Sequence, residues 1–169
     1  SVMSMAPRIE AHLGKVGINY SLVSHPHSST SLQSARVAHV PAPEVVKAVM
    51  THDGENYRLC LIPSTHRLVM SWLNKHMGGH FRLVTEDELE GLFDDCEVGA
   101  VPALGQVYGL PVIWEERLAK LKDIYFESGD HENLVHLNHG AFMELMGLQE
   151  HDVISCLTEE YEHRTELIH

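Results

Sequence analysis

Residues Val45-Val46-Lys47-Ala48-Val49-Met50 form a run of mostly β-branched and apolar side chains, and Asp53-Gly54-Glu55-Asn56 separates them from a second run, Tyr57 to Ile62. Two such runs around a turn-forming quartet predict a β-hairpin. The hairpin is the strongest constraint on the fold, because an all-parallel doubly wound sheet has no hairpins. Around it, helical and extended patterns alternate irregularly. Pro7 to Val16 reads as a short helix with Ile9, Leu13 and Val16 at helical spacing, Tyr20 to Val23 as a strand, and the Ser/Thr cluster at Ser28-Ser29-Thr30-Ser31 as the cap of a helix carrying Leu32, Ala35 and Val37. Leu68, Trp72, Leu73 and His76 predict a helix ended by Gly78-Gly79, followed by a strand from Phe81 to Val84. Thr85-Glu86-Asp87-Glu88 is a capping box for a helix bearing Leu89, Leu92 and Phe93. Farther on, Pro111 to Trp114, Ile124 to Phe126 and Leu134 to Leu137 read as strands, with a short helix around Leu118 and another from Ala141 to Met146 beginning near Asn138. This order favours a mixed α/β sheet flanked by helices.

A chain of 169 residues with 44% apolar and 21% charged residues suits one domain with a sizeable core. The expected division is a single domain over residues 1–148 and an acidic C-terminal tail over residues 149–169. The leading Ser1-Val2 is set aside as a remnant of expression. No apolar run approaches the length needed to span a bilayer, and no signal peptide is recognisable, so a cytoplasmic protein without membrane contact is expected. Three widely spaced cysteines, Cys60, Cys96 and Cys156, fit free thiols in a reducing compartment.

Fourteen histidines make metal the first chemistry to weigh. His76 and His80 stand four apart, but Gly78-Gly79 interrupts the helix that would bring them together. His131, His136 and His139 form a second set, in which strand alternation sends His131 and His136 to opposite faces. Neither set has an acidic or Cys partner at a familiar spacing, so no metal and no cofactor is expected. Nucleophilic hydrolysis fares no better. There is no Gly-x-Ser-x-Gly elbow, and Cys96 lies between Asp95 and Glu97, whose charges disfavour a thiolate. The segment Gly99-Ala100-Val101-Pro102-Ala103-Leu104-Gly105 lacks the Lys-Ser/Thr of a P-loop. It is either a tight connection between packed elements or a loop whose inward N–H groups stabilise an oxyanion. Lys47, alone among apolar neighbours, either snorkels from an edge or points into a cleft.

Taken together and in order, Val45-Val46-Lys47-Ala48-Val49, Asp95-Cys96-Glu97-Val98-Gly99-Ala100-Val101-Pro102-Ala103-Leu104-Gly105, Tyr108-Gly109-Leu110-Pro111 and Gly129-Asp130-His131 resemble the YbaK-type aminoacyl-tRNA editing family. That family includes the editing domain of bacterial prolyl-tRNA synthetase and free-standing relatives, and the likeness covers about residues 17 to 147. It implies a curved, barrel-like mixed sheet and hydrolysis of the ester joining a wrong amino acid, alanine or cysteine, to the 3′ end of a tRNA. By the same resemblance, Lys47 with the loop residues Gly99, Ala100 and Val101 forms the catalytic centre. Pro102, Ala103, Leu104, Gly105, Gly129, His131 and Thr30 are expected to contact the substrate. The attacking water is expected to be assisted by a ribose hydroxyl, since the sequence offers no obvious base. The expected partner is the 3′ acceptor end of a mischarged tRNA, with a synthetase or translation factor as a second partner. One departure stands out, because relatives often carry two successive prolines where this chain has Pro102-Ala103. The rival readings are a non-catalytic binding module of the same fold and, behind it, a His-ligated metal hydrolase.

The charge of −12 first argues against a nucleic-acid partner, yet it is unevenly spread. Residues 1–82 hold eight Lys+Arg and four Asp+Glu, whereas residues 83–169 hold four and twenty. The first part can meet a tRNA end while the second repels long stretches of phosphate.

Overall fold

The computed structural model describes residues 4–168. In chain order the elements are α1 (Pro7–Val16), β1 (Ser21–Ser24), α2 (Ser31–Val37), β2 (Val45–His52), β3 (Tyr57–Pro63), β4 (His66–Leu68), α3 (Met70–Met77), β5 (Arg82–Leu83), α4 (Glu86–Glu90), β6 (Val112–Glu115), β7 (Asp123–Glu127), β8 (Asn133–Asn138), α5 (His139–Met146), β9 (Glu150–Asp152), β10 (Ser155–Leu157) and α6 (Thr158–Ile168). The reading of Ser1-Val2 lies outside the described residues. Among the described residues, no helix is long and apolar enough to cross a membrane.

Local chemistry sets the helix ends. Pro7 occupies the first turn of α1, where its missing N–H costs nothing, and Gly17 closes the helix at φ 70°. Thr30 and Asn138 cap α2 and α5 by accepting from Gln33 N–H and Ala141 N–H. Leu68, expected in a helix, belongs instead to β4, and α3 begins only at Met70. The strand expected from Phe81 to Val84 shrinks to Arg82–Leu83.

The hairpin β2–β3 is central. Strand order is β1-β8-β7-β2-β3-β6-β9, with β5 added to β2 off this path. β2 is antiparallel to β3 but parallel to β7, and β3 is parallel to β6, so the sheet is mixed. Its order is an open path whose terminal strands are β1 and β9; it is not a closed barrel.

Alternation along β2 assigns its two faces. Val46 and Met50 join the main core with Ile9 and Leu13 of α1, Phe142 of α5, and Val101, Ala103 and Leu104 of the loop. On the other face, Val45 packs with Ala35 of α2, and Val49 packs with Leu73 of α3 and Ile154. Lys47 lies between Val45 and Val49 and shares their face, away from the apolar half of the loop.

The residues expected as an acidic tail are built into the fold. β9 pairs with β6, β10 pairs with β4, and Ile154 between them is fully buried. A buried carboxylate fastens this segment. Glu115 accepts hydrogen bonds from Ile154 N–H at 3.1 Å, Ser155 N–H at 3.1 Å and Ser155 Oγ–H at 2.9 Å, and Arg117 donates Nε and Nη2 to it at 2.9 Å each. Burial by itself raises the Glu115 pKa, but the Arg117, Ser155 and Ile154 donors outweigh it and bring the carboxyl down to about 2. α6 then stacks Tyr161 on the Arg67 guanidinium, 4.5 Å from ring centroid to charge. Acidic composition had concealed a segment held by one inward-facing acid.

Candidate active-site cleft

Three segments from distant parts of the sequence converge beside the N-terminus of α2. The turn at Ser128–Glu132 is knitted from within by Asp130, whose carboxylate accepts from Ser128 Oγ, from Glu132 N–H and Asn133 N–H, and from Asn133 Nδ2. Although burial acts against its charge, these donors hold Asp130 below the usual carboxylate range. Gly129 adopts φ 113°, and a Cβ there would lie 2.9 Å from Ala6 Cβ and 3.2 Å from Cys96 Sγ. Only glycine fits. Its carbonyl accepts from Glu97 N–H at 2.8 Å, and His131 O accepts from Ser28 N–H at 3.1 Å, so the turn ties the loop after Asp95 to the entry of α2.

Between these segments lies an open cleft of about 480 Å³ lined by His27, Ser28, Ser29, Cys96, Glu97, Val98 and His131. A volume of that size falls within the usual range of small-molecule sites. His131 forms its inner wall. The residue holds a left-handed backbone at φ 58°, is almost fully buried, and donates Nε2–H to Val98 O at 2.6 Å. Its other nitrogen, Nδ1, lies 3.4 Å from Oε2 of Glu127, a carboxylate with 1% side-chain exposure. With an acceptor on each side the ring favours the imidazolium, and the Glu127 charge, followed against burial by the Val98 carbonyl, raises its pKa. The sequence did not single out Glu127. An acid at a strand end reads as solvated, and nothing local in the sequence shows that it faces inward.

His27 occupies the mouth of the cleft. Its Nε2–H donates to Glu97 Oε2 at 3.0 Å, and its ring meets the His131 ring edge-on at 5.6 Å between centroids. Cys96 also lines the cleft, but burial first, and then Asp95, pushes its thiol to about 12. It is no nucleophile at neutral pH.

The residues singled out in the sequence fall into three groups. Gly99 is exposed at the edge of the cleft at φ 81°, where an added Cβ would approach Ser29 O at 3.3 Å and His131 Nε2 at 3.4 Å. Ala100 N–H is already bonded to Glu97 O at 3.1 Å. The remaining loop residues run inward. Val101, Ala103 and Leu104 belong to the core, Pro102 is buried, and a Cβ on Gly105 would come within 2.9 Å of Leu110 O. They support the loop from behind rather than facing the cleft, and the Pro102-Ala103 departure therefore sits in the core. Thr30 serves as the helix cap, through Gln33 N–H at 3.1 Å.

Lys47 forms the third group. It is half-buried on the α2 side of the sheet, and burial, with the charge of Arg67 adding to it, lowers its pKa. The pKa of His66 is lowered chiefly by its own burial and then by the Arg117 charge, with Lys47 a smaller contributor. Lys47 and Arg67 thus form a basic locus on the face where α2 packs.

Two of the histidines weighed as metal ligands are engaged elsewhere. His76 is held between Glu150 at 3.1 Å and Asp152 at 2.6 Å, and His136 bonds Asp123 at 2.8 Å while stacking on Tyr125. Among the described residues, no group of three or more His, Cys, Asp or Glu side chains is arranged to hold a metal ion.

Residues 25–145 match the model of the aminoacyl-tRNA editing domain, a span that contains Lys47, the loop and the turn at His131. No curated protein matches the chain. Among solved structures, a candidate trans-editing enzyme for prolyl-tRNA synthetase superposes with a TM-score of 0.79 at 22% identity, over 92% of this chain and 99% of that one. A protein described as hypothetical gives 0.79 at 20% identity, over 88% and 99%. A candidate signal transduction protein from Marinobacter aquaeolei gives 0.74 at 16% identity, over 90% of this chain but 31% of its own. At such identities the likeness is one of fold.

Proposed function

The chain belongs to the aminoacyl-tRNA editing domain family, and from that premise we propose that it is a trans-acting deacylase, acting in the cytoplasm on the ester of a mischarged tRNA. The substrate is an alanyl- or cysteinyl-tRNA(Pro)-like molecule, and the surface engaged is its 3′ acceptor end. The observation that carries the reading is the convergence of the Glu97–Gly99 loop edge, the Ser128–Glu132 turn and the entry of α2 on one cleft, all within the matched residues. No side chain in that cleft is an activated nucleophile, so water is the attacking group.

In this reading the aminoacyl carbonyl lies against the loop edge, where Gly99 N–H meets the negative charge that develops on its oxygen. His131 is a positioning residue that fixes the Val98 carbonyl and with it the direction of the Gly99 peptide. Lys47, half-buried beside the exposed Arg67, receives the polar, phosphate-bearing end of the substrate, since a partly desolvated cation gains most from an anion. Ala103 and Leu104 determine pocket size indirectly, through the packing behind the loop.

A panel of tRNAs charged with cognate and non-cognate amino acids tests the reading. Release of alanine or cysteine from tRNA(Pro) at a rate well above spontaneous hydrolysis is expected. Inactivity toward every member, with the tRNA still bound, would favour a binding module of the same fold.

A further inference from the structure

We propose that Glu127 is a positioning residue for the deacylation: its buried carboxylate holds His131 as the imidazolium, and the charged ring clamps the Val98–Gly99 peptide at the edge of the cleft; this rests on the deacylase reading above. Strand alternation places the acid. In β7, Ile124 and Phe126 enter the main core, whereas Tyr125 packs with Ala35 and Val45 on the α2 side. Glu127 is the next residue on that side, and Leu134, opposite it on β8, is buried in the same apolar cluster. The carboxylate is thereby carried into the interior, with 1% side-chain exposure.

Its only compensation is ionic. Among the described residues, neither oxygen of Glu127 has a hydrogen-bond partner, and neither does His131 Nδ1, yet Nδ1 lies 3.4 Å from Oε2. A neutral ring that donates Nε2–H to Val98 O would turn the bare lone pair of Nδ1 toward a buried negative charge, which is costly for both. A proton on Nδ1 removes the conflict. The Nε2–H bond to Val98 O, at 2.6 Å, is shorter than neutral N–H···O bonds usually are, as expected of a charged donor.

The bond matters because of where Val98 stands. Its carbonyl and the N–H of Gly99 belong to one planar peptide, so holding the carbonyl holds the whole plane. Gly99, at φ 81°, lacks the Cβ that would otherwise restrain rotation of that plane. The neighbouring contacts, Glu97 N–H to Gly129 O at 2.8 Å and Ala100 N–H to Glu97 O at 3.1 Å, are made by the backbone. The Val98 contact differs from them in depending on a proton. Other titratable groups surround the ring. Glu97 also favours the imidazolium, though less than Glu127; His27 meets the ring edge-on at 5.6 Å; the Cys96 thiol stays protonated; and Asp130 is turned toward Ser128, Glu132 and Asn133. Lys47 shares the sheet face of Glu127.

The test uses the full chain and the mischarged tRNA that wild type cleaves fastest. Glu127→Gln keeps the shape and can donate to Nδ1, so the ring still offers Nε2–H to Val98 but carries no charge. Because a charge-assisted hydrogen bond is roughly twice as strong as a neutral one, kcat is expected to fall about tenfold with little change in KM. The enzyme-dependent rate of wild type should decline as pH rises through the His131 midpoint, and in Glu127→Gln the decline should begin at lower pH. Glu127→Asp, which restores the charge, should recover much of kcat and the wild-type pH limit. Imidazole nitrogen NMR at neutral pH should show both nitrogens of His131 protonated in wild type and Nδ1 unprotonated in Glu127→Gln. A neutral ring in wild type, or Glu127→Gln with wild-type kcat, overturns the clamp. A slowed Glu127→Gln that keeps the wild-type pH limit, or a Glu127→Asp no faster than it, also overturns the clamp, because the loss is then one of packing. If Glu127→Gln fails to fold, the wild-type spectrum and the pH limit of Glu127→Asp decide. A wild type that cleaves no member of the panel overturns the deacylase reading and the positioning role with it, while the NMR comparison still decides the ion pair.

Discussion

Replacing Glu115 with Gln tests whether one buried charge fastens the last twenty residues. The side chain is fully buried, and it carries six hydrogen bonds from Arg117, Ile154 and Ser155 at 2.9–3.1 Å. Its carboxyl falls from 4.5 to about 2, and at about 1.4 kcal/mol for each pH unit the coupling is roughly 3 kcal/mol. Loss of one partner from a buried, hydrogen-bonded ion pair independently costs about 3–5 kcal/mol. The sign follows from the depressed value: the stabilisation is fully present above the unfolded value of 4.5 and is lost as pH falls toward about 2. At pH 7 the variant should therefore lose roughly 3 kcal/mol, a fall in Tm of about 6–12 °C for a chain of this size. Urea unfolding followed by tryptophan fluorescence reads the change directly, since Trp114 precedes Glu115 and bonds Met146 O at 2.9 Å. Repeating the titration at pH 7, 5 and 3.5 separates charge from shape. Wild type should lose stability over that range more steeply than Glu115→Gln. A variant within about 0.5 kcal/mol of wild type at pH 7, or one with the wild-type pH slope, would refute the argument.

Other outcomes can be checked with single substitutions. Lys47→Ala should reduce deacylation by at least about tenfold while unfolding at the wild-type urea concentration, because loss of one charge-assisted contact is worth about 1.5–3 kcal/mol; an undiminished rate would remove Lys47 from the substrate path. Imidazole titration by NMR should place His131 above the ordinary histidine value in wild type and lower in Glu127→Gln, and identical midpoints would exclude the ion pair. Because that pKa is raised, the contribution of His131 to stability is full at low pH and fades as pH rises through the folded value. Gly129→Ala should destabilise by more than about 1 kcal/mol, since the new methyl meets Ala6 and Cys96 at a left-handed φ; a neutral thermal shift would show that the turn yields.

Periodicity made the framework legible. The bounds of α1, the Thr30 cap and the β2–β3 hairpin all follow from local patterns that tertiary packing reinforces. β4, β9 and β10 were not legible, because three residues are too few for alternation to register. Acidic residues misled for a related reason. Glu115 and Glu127 resemble ordinary surface acids until the partners that bury them are known. In the loop the apolar residues were noticed, but whether Ala103 and Leu104 face the cleft or the core depends on the strand they cover. The family resemblance singled out the loop after Asp95 and the turn at His131, which the fold brings together beside α2. It could not reveal the pairing of His27 with Glu97, which exists only after two distant loops meet.

The two ends of the open sheet bear on how copies of this protein meet one another. An unpaired strand edge invites a neighbour's strand to continue the ladder, and long apolar edges are the most dangerous. Here one edge is β9, three residues long, Glu150-His151-Asp152, with Glu150 and Asp152 drawn back onto His76 of α3. A second copy approaching that edge would have to pair against two carboxylates after only three positions, and would meet the same charges on its own β9. The two acids of β9 thereby act as insulation at one border of the sheet, where they oppose its extension by a second copy.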